Sequence, residues 1–188
     1  MLFRSHGASG PHFILGLTRP ASASRSTQTL ERMVSFDLGS HKFQLRAAAV
    51  IVHDGLVLLH RLEGDDFWAL PGGRVEPGED SSSTVVRELH EELNETVVCN
   101  RLLYVAENFF VFRGESNHEI GLYFEATLAL DSRVLGKRQS YVGIEGDSKL
   151  EFRWFGKSEL QSLDLRPSFL RKSLSEPVLS FKHIVQHG

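Results

Sequence analysis

Residues 72–95, GGRVEPGEDSSSTVVRELHEELNE, constrain this chain more tightly than any other stretch. They open as a Gly/Pro-rich turn and pass into a helical pattern. At 100° per residue, Val85, Val86, Leu89 and Leu93 share an arc of about 100°, the width of a buried stripe. Glu88, Glu91, Glu92 and Glu95 share the neighbouring arc, where positions three and four apart touch and each stacked pair of like charges costs about 0.2–0.5 kcal/mol. A solvated acidic face usually mixes Glu with Lys. No lysine lies between Lys42 and Lys137, and Arg87 is the only full cation on the helix. Such a face makes better sense with a cation seated on it. Clustered carboxylates select a hard, oxygen-preferring ion, Mg²⁺ with Mn²⁺ as the alternative, ahead of Zn²⁺.

The spacing sharpens this reading. From Gly73 the order is five residues, Glu79, seven residues, Arg87-Glu88-Leu89, one residue, then Glu91-Glu92. This resembles the Nudix box, G-x5-E-x7-R-E-U-x-E-E-x-G-U with U aliphatic, and fixed polar positions at fixed spacing make a specific signal. Two positions depart from it. Asn94 stands where the box has its second Gly, and Asn is the best substitute in a left-handed helix ending. Glu95 stands where the box has an aliphatic residue. The likeness extends over residues 43–175 through His60-Arg61, the Trp68-Ala69-Leu70-Pro71-Gly72-Gly73 lead-in and the late strand Glu151-Phe152-Arg153-Trp154.

The Nudix resemblance implies an α/β/α sandwich and hydrolysis of a nucleoside diphosphate linked to another moiety. It implies that Glu88, Glu91 and Glu92 ligate the metal, with the Gly72 carbonyl adding a further oxygen and Glu79 a lesser candidate. Arg87 would hold the glutamates by charge-assisted hydrogen bonds. The box does not fix the general base; Glu145, in Gly143-Ile144-Glu145-Gly146, is the first candidate and Glu119 the competitor. Arg61 and Phe67 are candidates for substrate contact. Phe109, Phe110, Phe112 and Tyr123 are aromatics that stack a base or, as strand aromatics more often do, fill a core.

With 188 residues, 41% hydrophobic and 24% charged, the chain suits one globular domain. Cys99 is the only cysteine, so no intrachain disulfide forms. Residues 1–32 hold four Arg and one Glu, leaving the remainder at a net charge of −6 out of −3 overall. That balance argues against general nucleic-acid binding. No apolar run reaches the length of a membrane span. Residues 1–35 are expected as a tail or non-native leader, with organellar targeting as the alternative to a cytoplasmic protein. Residues 36–188 are expected as the catalytic domain.

Along the domain, apolar runs at 45–52 and 56–62 flank Asp54-Gly55, a hairpin signal. A helix over 82–93 is capped by Asp80 or Ser81. Strand segments follow at 97–98, 102–105, 108–112 and 120–130, with a turn at 114–117. A polar loop spans 131–149, the last strand lies at 150–155, and short helices at 157–162 and 168–174 follow; the tail to Gly188 has no clear pattern. The order is α+β, a mixed sheet with helices on its faces. The expected activity is a Mg²⁺-dependent pyrophosphohydrolase on a small nucleotide-type substrate, with a homodimer as one assembly. The alternative is a Nudix-fold module that senses a nucleotide without cleaving it; such modules are expected to lack box glutamates that this chain keeps.

Overall fold

Strand β2 (His41–His53) is the spine of the molecule. The computed structural model describes residues 33–135 and 139–188. Three further strands lie against β2: β1 (Ser35–Leu38) and β4 (Gly72–Arg74) antiparallel, and β6 (Glu115–Leu128) parallel, from His41 opposite Ser116 to Ile51 opposite Ala126. At its end β2 turns back into β3 (Leu56–Leu62). Asp54 and Gly55 both have positive φ, 49° and 74°, which matches the twist of a two-residue hairpin. The remaining strands are β5 (Val97–Phe112), β7 (Tyr141–Glu145), β8 (Ser148–Gly156) and β9 (Lys182–His187), giving the order β7-β8-β3-β2-β6-β5-β9. Helices α1 (Ser81–Leu93) and α2 (Phe169–Ser175) pack with separate cores. The result is an α/β/α sandwich around a mixed sheet.

The two cores follow from the period-two alternation of a strand. Ala47, Ala49 and Ile51 of β2 pack with Val85, Leu89 and Leu93 of α1. Ala48 and Val50 pack on the other side with Leu170 and Leu174 of α2 and with Tyr104. Full burial of Val85 and Leu89 contributes about 1.5–3 kcal/mol each.

Helix α1 starts where Asp80 accepts hydrogen bonds from the backbone N–H groups of Ser82 and Ser83. It stops at Asn94, which adopts φ 53°, ψ 39°, the left-handed ending expected of it. Its buried stripe differs from the periodicity reading at one place. Val86 is 37% exposed and Thr84 is buried instead, because the Thr84 hydroxyl donates to Glu79 at 2.7 Å and draws that side of the helix inward.

Glu95, the second irregular position, is buried beside Arg133 at 3.3 Å, and Arg133 also donates to the Leu93 carbonyl at 2.6 Å. One arginine therefore neutralises the buried carboxylate and caps the helix end. Arg133→Ala is expected to lower stability by about 1–3 kcal/mol, since it strands a buried acceptor. The Glu95→Leu/Arg133→Ala pair is expected to recover most of that loss in a denaturant titration, because the stranded charge is gone.

Several boundaries differ from the sequence reading. The strand pieces at 97–112 form the single strand β5, with irregular register between Cys99 and Tyr104. The expected 114–117 turn is tighter: Arg113 and Gly114 take positive φ and β6 resumes at Glu115. Part of the 131–149 loop is strand β7, which pairs with β8 from Tyr141 opposite Phe152 to Glu145 opposite Ser148. The 157–162 helix is a 3₁₀ turn over Glu159–Ser162. β9 forms by parallel pairing with β5. β1 begins at Ser35, so the boundary drawn before residue 36 falls inside a strand. The targeting signal read in residues 1–32 lies outside the described residues. Among the described residues, no helix is long and apolar enough to cross a membrane.

Candidate active site

Gly72 and Gly73 bring strand β4 close enough to its neighbours that neither position has room for a side chain. Gly72 has φ 142°, and a Cβ there would fall on the backbone of Ala47 and Ala48. A Cβ on Gly73 would fall on the carboxylate of Glu88. The Gly72 carbonyl accepts from the Arg46 guanidinium at 2.5 Å. The turn thus lays a backbone oxygen beside the helix that carries the glutamates.

Arg87 organises that helix. Its Nε and Nη2 donate to the two oxygens of Glu79 at 2.9 and 3.0 Å, a bidentate pair. Its Nη1 donates to Glu88 at 2.9 Å and to Glu91 at 3.1 Å, and Nη2 also reaches the Arg74 carbonyl. Glu79 further accepts from the Thr84 hydroxyl and the Glu76 N–H. The Arg87 hydrogen bond is the largest cause that holds the Glu79 carboxyl down at about 2, and these two bonds add to it. The same contacts raise the Arg87 guanidinium, Glu79 first.

The acidic arc divides by depth. Glu88 and Glu92 are 8% and 5% exposed, whereas the Glu91 side chain is 56% exposed. Burial first, then the charge of Glu92, raises the Glu88 carboxyl from its ordinary value. Glu92 Oε2 has no hydrogen-bond partner; its neighbour is His60 Nδ1 at 3.4 Å, which is equally buried and equally without a hydrogen bond. A buried carboxylate oxygen left in this state is costly unless a positive group completes it.

Among the described residues, no three His, Cys, Asp or Glu side chains converge on one metal-sized point. Glu79, Glu88 and Glu91 converge on Arg87, whereas Glu92, close enough to Glu88 for its charge to act there, faces His60. The donor set still fits a hard divalent ion: crowded carboxylates, one with an unpartnered buried oxygen, next to a backbone carbonyl.

Beside strand β4 opens a cleft of about 840 Å³. It borders the box turn at Gly72 and Arg74, His60 lines it as well, and its cationic lining includes Lys42, Arg46, Arg61 and Arg74. Arg61 and Phe67, the expected substrate contacts, both line it. Arg61 lies 4.6 Å over the Trp68 ring and pairs with Glu151 at 2.7 Å; Phe67 carries the Arg166 guanidinium at 4.5 Å. Phe110, Phe112 and Tyr123 line the cleft as well. Phe109 faces the other way and stacks between His118 and His187, at 4.3 and 4.8 Å.

Both candidate bases reach the cleft by different routes. Glu145 is exposed at the tip of the β7–β8 hairpin. Two residues back on the same strand face, Gly143 packs so closely on the Glu92 backbone carbonyl that a Cβ there would collide with it. The hairpin tip is thereby tied to the box helix. Glu119 is buried on β6 and accepts from Gln44 at 2.7 Å. Arg46 and His60 also belong to this candidate site, and the sequence does not mark them. Arg46 is an isolated Arg in a strand, and His60 meets Glu92 across a separation of 32 positions, so neither carries a local signal.

The model of the NUDIX domain matches residues 42–176. Among solved structures, the chain is similar to a NUDIX hydrolase from Nitrosomonas europaea (21% identity, 76% of this chain and 78% of that one, TM-score 0.54). It is also similar to an ADP-ribose pyrophosphatase from Streptococcus suis (16% identity, 76% and 98%, TM-score 0.53) and a MutT protein from Bacillus halodurans (21% identity, 74% and 86%, TM-score 0.51). These likenesses are of fold. A search of curated proteins by sequence returned no match. With the box on helix α1, the sandwich around it and the domain match over most of its length, the chain belongs to the Nudix family of hydrolases.

Proposed function

We propose that the protein hydrolyses a phosphoanhydride bond in a nucleoside diphosphate linked to a second moiety. The observation that carries this reading is the buried, unpartnered Glu92 oxygen on the box helix, beside His60, which itself lines the cleft. Glu88, Glu92 and the Gly72 carbonyl would hold a divalent ion, Mg²⁺ first and Mn²⁺ as the alternative, with Glu91 and Glu79 at its margin. When bound, that ion supplies charge neutralisation for the diphosphate and an acidified water.

The chain's own groups supply the rest. Arg46 and Arg74 set positive charge at the end of the cleft nearest Gly72, where the diphosphate would lie. Arg87 keeps Glu88 and Glu91 from springing apart, so the carboxylates are oriented before substrate arrives. Glu145, tethered through Gly143, takes the proton from the attacking water. Arg61 and Phe67 bracket the substrate at the mouth of the cleft.

The test is a substrate panel with Mg²⁺: nucleotide sugars, ADP-ribose, dinucleoside polyphosphates and oxidised nucleoside triphosphates, followed by product release. At least one member is expected to be cleaved, with turnover abolished by chelation and restored by Mg²⁺. An intact panel, with calorimetry showing one compound bound, would establish the sensing module instead.

A further inference from the structure

The floor of the cleft carries a row of four polar side chains, one from each of four neighbouring strands. Gln44 on β2 lies opposite Glu119 on β6, Glu119 opposite Asn108 on β5, and Asn108 opposite Gln186 on β9. All four line the cleft, and Asn108 and Glu119 are each 5% exposed. Polar groups this deep are ordinarily paired, so the pairings they have fix what they leave free.

The orientations propagate from one backbone donor. The Phe169 N–H donates to Gln186 Oε1 at 2.9 Å, joined by the Ser168 hydroxyl at 3.2 Å. Gln186 therefore turns its amide nitrogen to Asn108 Oδ1, at 3.4 Å. With its oxygen engaged, Asn108 offers Nδ2 as a donor. At the other end Gln44 donates Nε2 to Glu119 Oε2 at 2.7 Å, since a carboxylate only accepts, and this leaves Gln44 Oε1 as an acceptor. Read across the strands, the floor presents acceptor, acceptor, donor: Gln44 Oε1, the Glu119 carboxylate, Asn108 Nδ2.

Resting on the reading of this cleft as a nucleotide site, we propose that the row selects a guanine base. The Watson–Crick edge of guanine presents donor, donor, acceptor (its 2-amino group, N1–H and O6) and matches the row in the order of its hydrogen-bonding groups. Adenine and cytosine both set a ring-nitrogen lone pair against the Glu119 carboxylate. Uracil supplies the central N–H but sets a carbonyl oxygen against Gln44. The position suits a base. Gly72 pairs with Ala48, four residues along β2 from Gln44, so the row lies about 13 Å from the box turn at 3.3 Å per residue. That is the reach of a nucleoside, with the phosphates left at Arg46. Phe110, in the next row beside Asn117, adds an apolar flank. On the same face of β6 the Tyr123 hydroxyl is buried without a partner, its ring filling the space that Gly121 leaves.

The test uses nucleoside monophosphates, which have no phosphoanhydride bond and so report binding apart from hydrolysis. Calorimetric titration of the full chain is expected to show GMP binding about ten- to hundred-fold more tightly than AMP or CMP, with UMP between, because each mismatch strands a buried polar group. Glu119→Gln gains a donor at the central position and is expected to bring GMP and AMP within about three-fold of each other. Asn108→Asp sets a carboxylate against O6 and is expected to weaken GMP about ten-fold or more. Thermal melts establish that each variant is folded; should Glu119→Gln not fold, Gln44→Leu on the half-buried end of the row reads the same selectivity. Equal affinity for GMP and AMP, no binding of any monophosphate, or an unchanged ratio in a folded Glu119→Gln would overturn the proposal. Cleavage of the panel without base preference overturns this inference alone, whereas GMP selectivity without any cleavage overturns the hydrolase reading alone.

Discussion

Glu92→Gln is expected to lower turnover about a thousand-fold while the melting temperature stays level or rises. Both halves follow from one geometry. The Glu92 oxygen is buried, has no hydrogen-bond partner and lies 3.4 Å from a ring nitrogen of His60. A charge held this way is costly to the fold, and its removal relieves that cost. An amide in its place also offers His60 an N–H. The loss falls on function, because an amide oxygen holds a divalent ion far more weakly than a carboxylate. Two measurements check this: steady-state turnover with Mg²⁺, and the shift in melting temperature on titrating Mg²⁺, present in the wild type and absent in the variant. Turnover within ten-fold of wild type would remove Glu92 from the proposed site.

The second large effect is on stability. Arg87→Met leaves Glu79 and Glu88, mostly buried, without their common cation, at a cost of about 3–5 kcal/mol. The loss has a pH signature. The Glu79 carboxyl is held down at about 2 in the fold against an ordinary 4.5, chiefly by Arg87. A depressed carboxyl stabilises the fold above its unfolded value, and that contribution fades as pH falls from 4.5 towards about 2. Wild type and variant are therefore expected to converge in stability over this interval and to differ most above it. Urea titrations at several pH values would show the convergence; parallel profiles would mean that Glu79 owes its low value to Thr84 and the backbone instead.

The box half of the candidate site is readable because it is local. Glycine, arginine and four glutamates sit within one turn and one helix, where chain spacing dictates geometry. Asn94 was readable for the same reason: the left-handed ending is a property of one residue. The outward turn of Val86 was not, because it depends on the Thr84–Glu79 bond, a detail of how the turn closes on the helix. Strand β7 has no signature in the sequence because its Val142 and Ile144 face solvent, so no buried alternation marks it. β9 is a strand only because β5 supplies an edge. The polar floor was the least legible part. Gln44 and Glu119 are 75 positions apart and meet through the parallel register of β2 and β6, which no local pattern encodes.

The alternation along β2 has an evolutionary consequence. Its odd-numbered residues 47, 49 and 51 press on the box helix, while Gln44 and Arg46 look into the cleft. Ligand preference can therefore drift through point substitutions on one face while the box helix keeps its bed on the other. The freedom ends at insertions. One added or deleted residue in β2 would exchange the two faces, placing glutamine and arginine under the helix and apolar side chains in the cleft. Lineages descended from this fold should thus vary in the composition of this strand and hold its length fixed.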